Sequence, residues 1–119
     1  MSGDYTYEMS LDEYQRAAKK TAIYPGNQGT MGLVYCVLGA AGEAGEMANK
    51  VKKVIRDDDF MVTPGKSSAI ADEVGDTLWY LSQVCEELGT TLGQVAQRNL
   101  DKLKARSLRG TITGSGDTR

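Results

Sequence analysis

The chain has 119 residues, with 14 Lys plus Arg against 16 Asp plus Glu and a formal net charge of -2. This length supports one hydrophobic core without disulfide or metal staples, and a 40 % apolar, 25 % charged composition excludes a chain that is disordered as a whole or a collagen-like repeat. The charge balance offers no broad basic surface for nucleic acid, and the absence of histidine removes Ser-His-Asp and Cys-His systems, imidazole bases and histidine-ligated metals.

Ser10 and Glu13 have the spacing of a capping box. Leu11, Tyr14, Ala18 and Thr21 follow at helical intervals until Pro25-Gly26-Asn27. A second helix is expected from Met31 to Ile55, with Met31, Val34, Leu38, Ala41, Ala48, Val51 and Ile55 along one side. Gly39, Gly42 and Gly45 interrupt it. Each glycine costs about 1 kcal/mol relative to alanine in a helix, so the cluster points to a backbone approached closely by another helix or a ligand.

Asp57 to Lys66 reads as a loop, after which Ser67 or Ser68 caps a third helix. Its apolar positions Ile70, Val74, Leu78, Leu81, Cys85 and Leu88 keep the helical period up to Gly89. A fourth helix starts near Thr91, turns Leu92, Val95, Ala96, Leu100 and Leu103 inward, and fades near Leu108. From Gly110 the chain is mostly Gly, Thr, Ser and Asp, the composition of a flexible tail. With no period-2 strand and no internal repeat, the expected fold is an all-α four-helix bundle, a single domain over residues 1–109 followed by a tail over 110–119.

Cys36 and Cys85 lie in apolar stretches without CxxC spacing and are expected as buried, reduced thiols. Met1 to Glu8 lacks the features of a signal peptide. The apolar run Met31–Ala41 falls short of the roughly 20 residues that cross a bilayer. A cytoplasmic protein, away from membranes, is the expectation.

Chemistry concentrates on carboxylates. Glu43 and Glu46 are three apart on the second helix, and Glu73 and Asp76 are three apart on the third. Residues at that spacing share a helix face, with Cβ atoms about 5–6 Å apart, so antiparallel packing would bring all four to one volume. Flanked by Gly42, Gly45, Ile70, Val74, Gly75 and Trp79, they would sit at a core edge, where unpaired carboxylates repel one another and require cations. Hard oxygen ligands suit Mg²⁺, with Mn²⁺ as a substitute. Lys50 and Lys53 continue the Glu43/Glu46 face, which ordinary surface ion pairing would also explain. Asn99, Lys102 and Arg106 make a polar, cationic stripe on the fourth helix, suited to a phosphate chain or to simple solvation. Gly65-Lys66-Ser67 lacks the first glycine and preceding strand of a P-loop. Asp57-Asp58-Asp59 lacks the ligand alternation of a calcium loop, and no histidine completes a ferritin-like di-iron site.

E-x-x-E at Glu43/Glu46, a 26-residue gap and E-x-x-D at Glu73/Asp76 resemble the signature of MazG-like, all-α nucleoside triphosphate pyrophosphohydrolases. The resemblance implies an oligomeric helical bundle, a homodimer or homotetramer, that cleaves (d)NTP between the α and β phosphates to give the monophosphate and pyrophosphate. By motif position, Glu43, Glu46, Glu73 and Asp76 would hold Mg²⁺, and Lys53, Asn99, Lys102 and Arg106 would contact phosphates. Glu46, with Glu43 second, is the expected catalytic carboxylate for orienting or deprotonating water. Tyr14, Gln15, Tyr24 and Asn27 are the candidates for base contact, with Trp79 and Tyr80 on the third helix as alternatives. Within the same fold, a phosphoribosyl-ATP pyrophosphohydrolase or a dUTP/dCTP diphosphatase is the nearest rival. A catalytically silent helical interaction module is the rival from another class.

Overall fold

The computed structural model describes residues 8–27 and 29–110, so the expected tail beyond Gly110 lies outside the described residues. It is all-α: α1 (Leu11–Lys19), α2 (Thr30–Asp57), α3 (Pro64–Leu88) and α4 (Leu92–Arg109). Among the described residues there is no strand, and no helix is long and apolar enough to cross a membrane.

The helix ends follow local chemistry. Ser10 caps α1 through the capping box with Glu13, and Thr91 with Gln94 does the same for α4. α1 stops at Lys19, before the Pro25-Gly26 signal: the Thr21 hydroxyl donates to the Ala18 carbonyl and accepts from Trp79 Nε1, tying the chain to α3. The expected start of α3 at Ser67 or Ser68 is corrected. Thr63 is the cap, accepting from Lys66 N, and Pro64 takes the first helical position, where a missing N–H costs nothing. Gly89 closes α3 in the left-handed conformation at φ 71°, which glycine adopts without a Cβ clash.

α2 and α3 form a long hairpin. Lys50 with Glu73, Gly39 with Tyr80 and Gly32 with Glu87 step in opposite directions along the two helices, so they run antiparallel. α1 and α4 pack on α3 and on each other, whereas α2 meets α3 alone among the helices. The bundle is therefore open on the far side of α2. Cys36 and Cys85 are buried free thiols, and Ala18, Tyr24, Val54 and Leu92 are the other buried apolar residues among the described residues. Buried Gln15 fastens α1 to the α3–α4 turn: its amide donates to Glu86 Oε1 and the Thr90 carbonyl, and its oxygen accepts from Leu92 N at 2.7 Å.

Of the three glycines in α2, Gly39 has an in-chain reason. A Cβ there would fall inside the ring of Tyr80, which crosses the helix at that point. Gly42 and Gly45 face open space. Gly39→Ala is therefore expected to lower unfolding free energy by about 1–3 kcal/mol through overpacking. Gly42→Ala should raise it by up to roughly 1 kcal/mol through helix propensity. Urea denaturation of both variants checks the contrast.

Candidate metal centre

Antiparallel pairing places the middle of α2 opposite the first half of α3. One carboxylate oxygen each from Glu43, Glu73 and Asp76 lies within 4.8 Å of the others, the single such group of possible ligands among the described residues. The group is graded in exposure: Glu73 is buried, Glu43 half-buried and Asp76 exposed, so the site opens outward past Asp76. Glu46 is exposed on α2 and stands outside this group. Its charge is nevertheless felt by both Glu43 and Lys50. Three of the four expected metal ligands are thus brought together, and the fourth flanks them.

Lys50 Nζ binds Glu73 Oε1 at 2.8 Å. This contact, followed by that with Glu43, holds the Glu73 carboxyl below its ordinary pKa. Glu43 is pushed the other way, chiefly by its contact with the Glu73 carboxyl, then by desolvation and the charges of Asp76, Glu73 and Glu46. The remaining Glu73 oxygen, Oε2, is buried and has no hydrogen-bond partner. A buried carboxylate oxygen left bare in a cluster of like charges fits a cation. The donor set, all hard carboxylate oxygens, fits a divalent ion such as Mg²⁺ or Mn²⁺. Lys50, expected on the Glu43/Glu46 face with ordinary surface pairing as the alternative, is a residue of the site through its pair with Glu73. Its seven-residue offset from Glu43, two helical turns on one face, was the signal.

The other expected site residues are dispersed. Lys53 is half-buried one turn beyond Lys50. Asn99 and Lys102 line a groove of about 230 Å³ with Val95 and Arg98, and no carboxylate of the cluster lines it. Arg106 is buried on α4, which makes no contact with α2. Within one chain the α4 stripe is not gathered around Glu43.

Among the base candidates, Tyr14 lies on α1 close enough to Asp76 for that charge, after burial, to raise its phenol pKa. Gln15 is corrected: both ends of its amide are engaged in packing, leaving it unsuited to reading a base. Tyr24 is buried, with its hydroxyl donating to Glu87 and its ring stacked on Tyr35. Asn27 donates to the Ala22 carbonyl at 3.0 Å and shapes the turn before α2. Tyr80 is nearer the cluster. It lies over Gly39, 6.4 Å from the Tyr35 ring between centroids, and its phenol pKa is raised by burial, then Tyr35, then the Glu43 charge.

With this geometry in view, comparison with known proteins is decisive: the MazG nucleotide pyrophosphohydrolase domain matches residues 35–109. The chain belongs to that family. The match contains both acidic pairs, Lys50 and all of α4, while α1 and the turn before α2 lie ahead of it. Gene 37 protein of Mycobacterium phage L5 is similar, 48 % identical over 114 residues that cover 93 % of this chain and 100 % of that protein. No solved structure matches.

The opposed pKa shifts give a stability prediction. Because the native Glu43 carboxyl holds its proton to higher pH than in the unfolded chain, its stabilising contribution is complete below the ordinary carboxylate pKa and is lost as pH rises through the raised value. Metal-free Glu43→Gln should therefore melt above wild type near about pH 7 and level with it near about pH 3.5. Thermal melts at both pH values check this; a Gln variant that melts lower near neutrality contradicts it.

Proposed function

We propose that this MazG-family chain is a Mg²⁺-dependent pyrophosphohydrolase that converts nucleoside triphosphates, ribo or deoxy, to the monophosphate and pyrophosphate. Control of the nucleotide pool, or removal of noncanonical nucleotides, is the role that fits such a reaction. The observation that carries this reading is the convergence of Glu43, Glu73 and Asp76 oxygens within 4.8 Å, with one buried Glu73 oxygen unpartnered.

Bound Mg²⁺ would neutralise phosphate charge and acidify a coordinated water. Glu43, Glu73 and Asp76 would hold it, and Lys50 fixes the Glu73 carboxylate that forms the floor of the site. Glu46, exposed on α2 and outside the group, would orient the attacking water and take its proton. The water oxygen forms the new P–O bond, the bond between the α and β phosphates breaks, and pyrophosphate leaves with the electron pair. Lys53 extends the α2 cationic edge toward the phosphate tail. Asn99, Lys102 and Arg106 offer further phosphate contacts where the bound nucleotide reaches α4. Tyr80 and the neighbouring Tyr35 offer the aromatic surface closest to Glu43 for the nucleoside end.

A pyrophosphate-release assay across the common NTPs and dNTPs with Mg²⁺, with products resolved by chromatography, tests the reading. Monophosphate plus pyrophosphate is expected from at least one nucleotide. Glu73→Gln and Asp76→Asn should each reduce kcat/KM by at least roughly 100-fold. Release of orthophosphate and a diphosphate, or turnover untouched by Glu73→Gln, would refute it.

A further inference from the structure

Lys50 stands four residues after Glu46, the spacing and order in which a glutamate and a lysine pair along one helix. Its ammonium goes elsewhere. It crosses to α3 and takes a single oxygen of Glu73, Oε1, at 2.8 Å, while Oε2 is buried and has no hydrogen-bond partner. With side-chain exposures of 31 % for Lys50 and 11 % for Glu73, the pair is sheltered from the solvent screening that weakens a surface ion pair. The two oxygens of one carboxylate thus differ in availability. One is bound by the chain, and the other is the only oxygen that Glu73 has left for a cation.

A choice among cations follows from that count. Ca²⁺ gathers about six to eight oxygens at about 2.3–2.6 Å and often takes both oxygens of a carboxylate. Mg²⁺ is smaller and demands a near-ideal octahedron at about 2.0–2.1 Å, a shape that the narrow bite of a two-oxygen carboxylate distorts. Asp76 is exposed and can turn to suit an ion, whereas Glu73 is buried and held. Whether the inner carboxylate offers one oxygen or two is therefore decided by Lys50. We propose that Lys50 sets the metal preference of this site: by holding Glu73 Oε1 it restricts Glu73 to one-oxygen binding, which favours a small octahedral ion, Mg²⁺ or Mn²⁺, over Ca²⁺. The inference rests on the metal-dependent reading above and adds a residue for ion choice that the two acidic pairs do not contain.

Both the charge and the shape of lysine enter. The ionised carboxylates of Glu43, Glu73 and Asp76, the Lys50 ammonium and one divalent ion together sum to zero, so an incoming ion gives Lys50 no cause to leave. An ammonium is a compact point charge that one oxygen satisfies. A guanidinium is a planar fork that takes both oxygens of a carboxylate. Arginine at this position would keep the charge and occupy Oε2 as well. Methionine would keep an unbranched apolar stem and free Oε1, opening Glu73 to two-oxygen binding.

Competition of Ca²⁺ and of Mg²⁺ against Mn²⁺, read on the full chain by electron paramagnetic resonance of the free ion, tests the assignment without reference to turnover. Relative to wild type, Lys50→Met should shift the ratio of the Ca²⁺ and Mg²⁺ competition constants toward Ca²⁺ by at least about 10-fold. Lys50→Arg, its charge retained, should weaken Mn²⁺ binding by at least about 10-fold. Circular dichroism establishes that each variant keeps its helices. An unchanged ratio in folded Lys50→Met would overturn the proposal while leaving the metal centre in place. So would wild-type Mn²⁺ affinity in Lys50→Arg, since charge alone would then be the role of Lys50; this arm decides if Lys50→Met does not fold. Absence of Mn²⁺ binding by wild type would overturn the proposal and the metal-dependent reading together.

Discussion

Three negative charges held on one side of a two-helix hairpin are the constraint around which this molecule is arranged. Carboxylates as close as those of Glu43, Glu73 and Asp76 repel, and burial of Glu73 strengthens the penalty by removing water. The apo chain meets it in two ways. Lys50 neutralises one oxygen of Glu73, and Glu43 keeps its proton more readily than an ordinary glutamate. Neither satisfies Glu73 Oε2. A site of this kind is held by the fold against its own electrostatics, and a bound divalent cation would relieve the repulsion that side-chain packing alone leaves in place.

The hairpin sets the geometry. Register between α2 and α3 is fixed above the cluster by Tyr80 lying over Gly39 and below it by the Lys50–Glu73 pair, so the carboxylates are pinned from both ends. α1 adds Tyr14 beside Asp76, and Gln15 locks α1 to the α3–α4 turn so that this placement holds. The aromatic cluster of Tyr24, Tyr35, Trp79 and Tyr80 lies along the next turns of the hairpin, between the carboxylate cluster and the start of α2. Cluster, lysine and most of the aromatic wall thus belong to two adjacent helices, with Tyr24 contributed by the connection between α1 and α2.

Much of this was legible in the sequence because helical periodicity and capping are local. Ser10 with Glu13, and Thr91 with Gln94, announce helix starts through reciprocal hydrogen bonds that need no tertiary partner. The two acidic pairs could be placed on facing helices because i, i+3 spacing and a short connection constrain the geometry. What escaped was one competition between local caps and several tertiary contacts. Thr63 outcompeted Ser67 as the α3 cap because Pro64 stands ready at the first helical position. Spacing put Lys50 on the Glu43 face but could not show that its partner is Glu73 on α3. Gln15 looked available for recognition, yet its amide is consumed by a turn more than seventy residues away in sequence. The α4 stripe illustrates the same limit, since spacing aligns Asn99 with Lys102 but says nothing about which helix they face.

Manganese binding, followed by electron paramagnetic resonance of the free ion, is the most direct measurement of the central claim. Wild type is predicted to deplete the free Mn²⁺ signal, with Mg²⁺ competing for the site, and Glu73→Gln to leave that signal unchanged while the chain remains folded. Equal Mn²⁺ binding by wild type and Glu73→Gln, or no binding by wild type, would contradict the account.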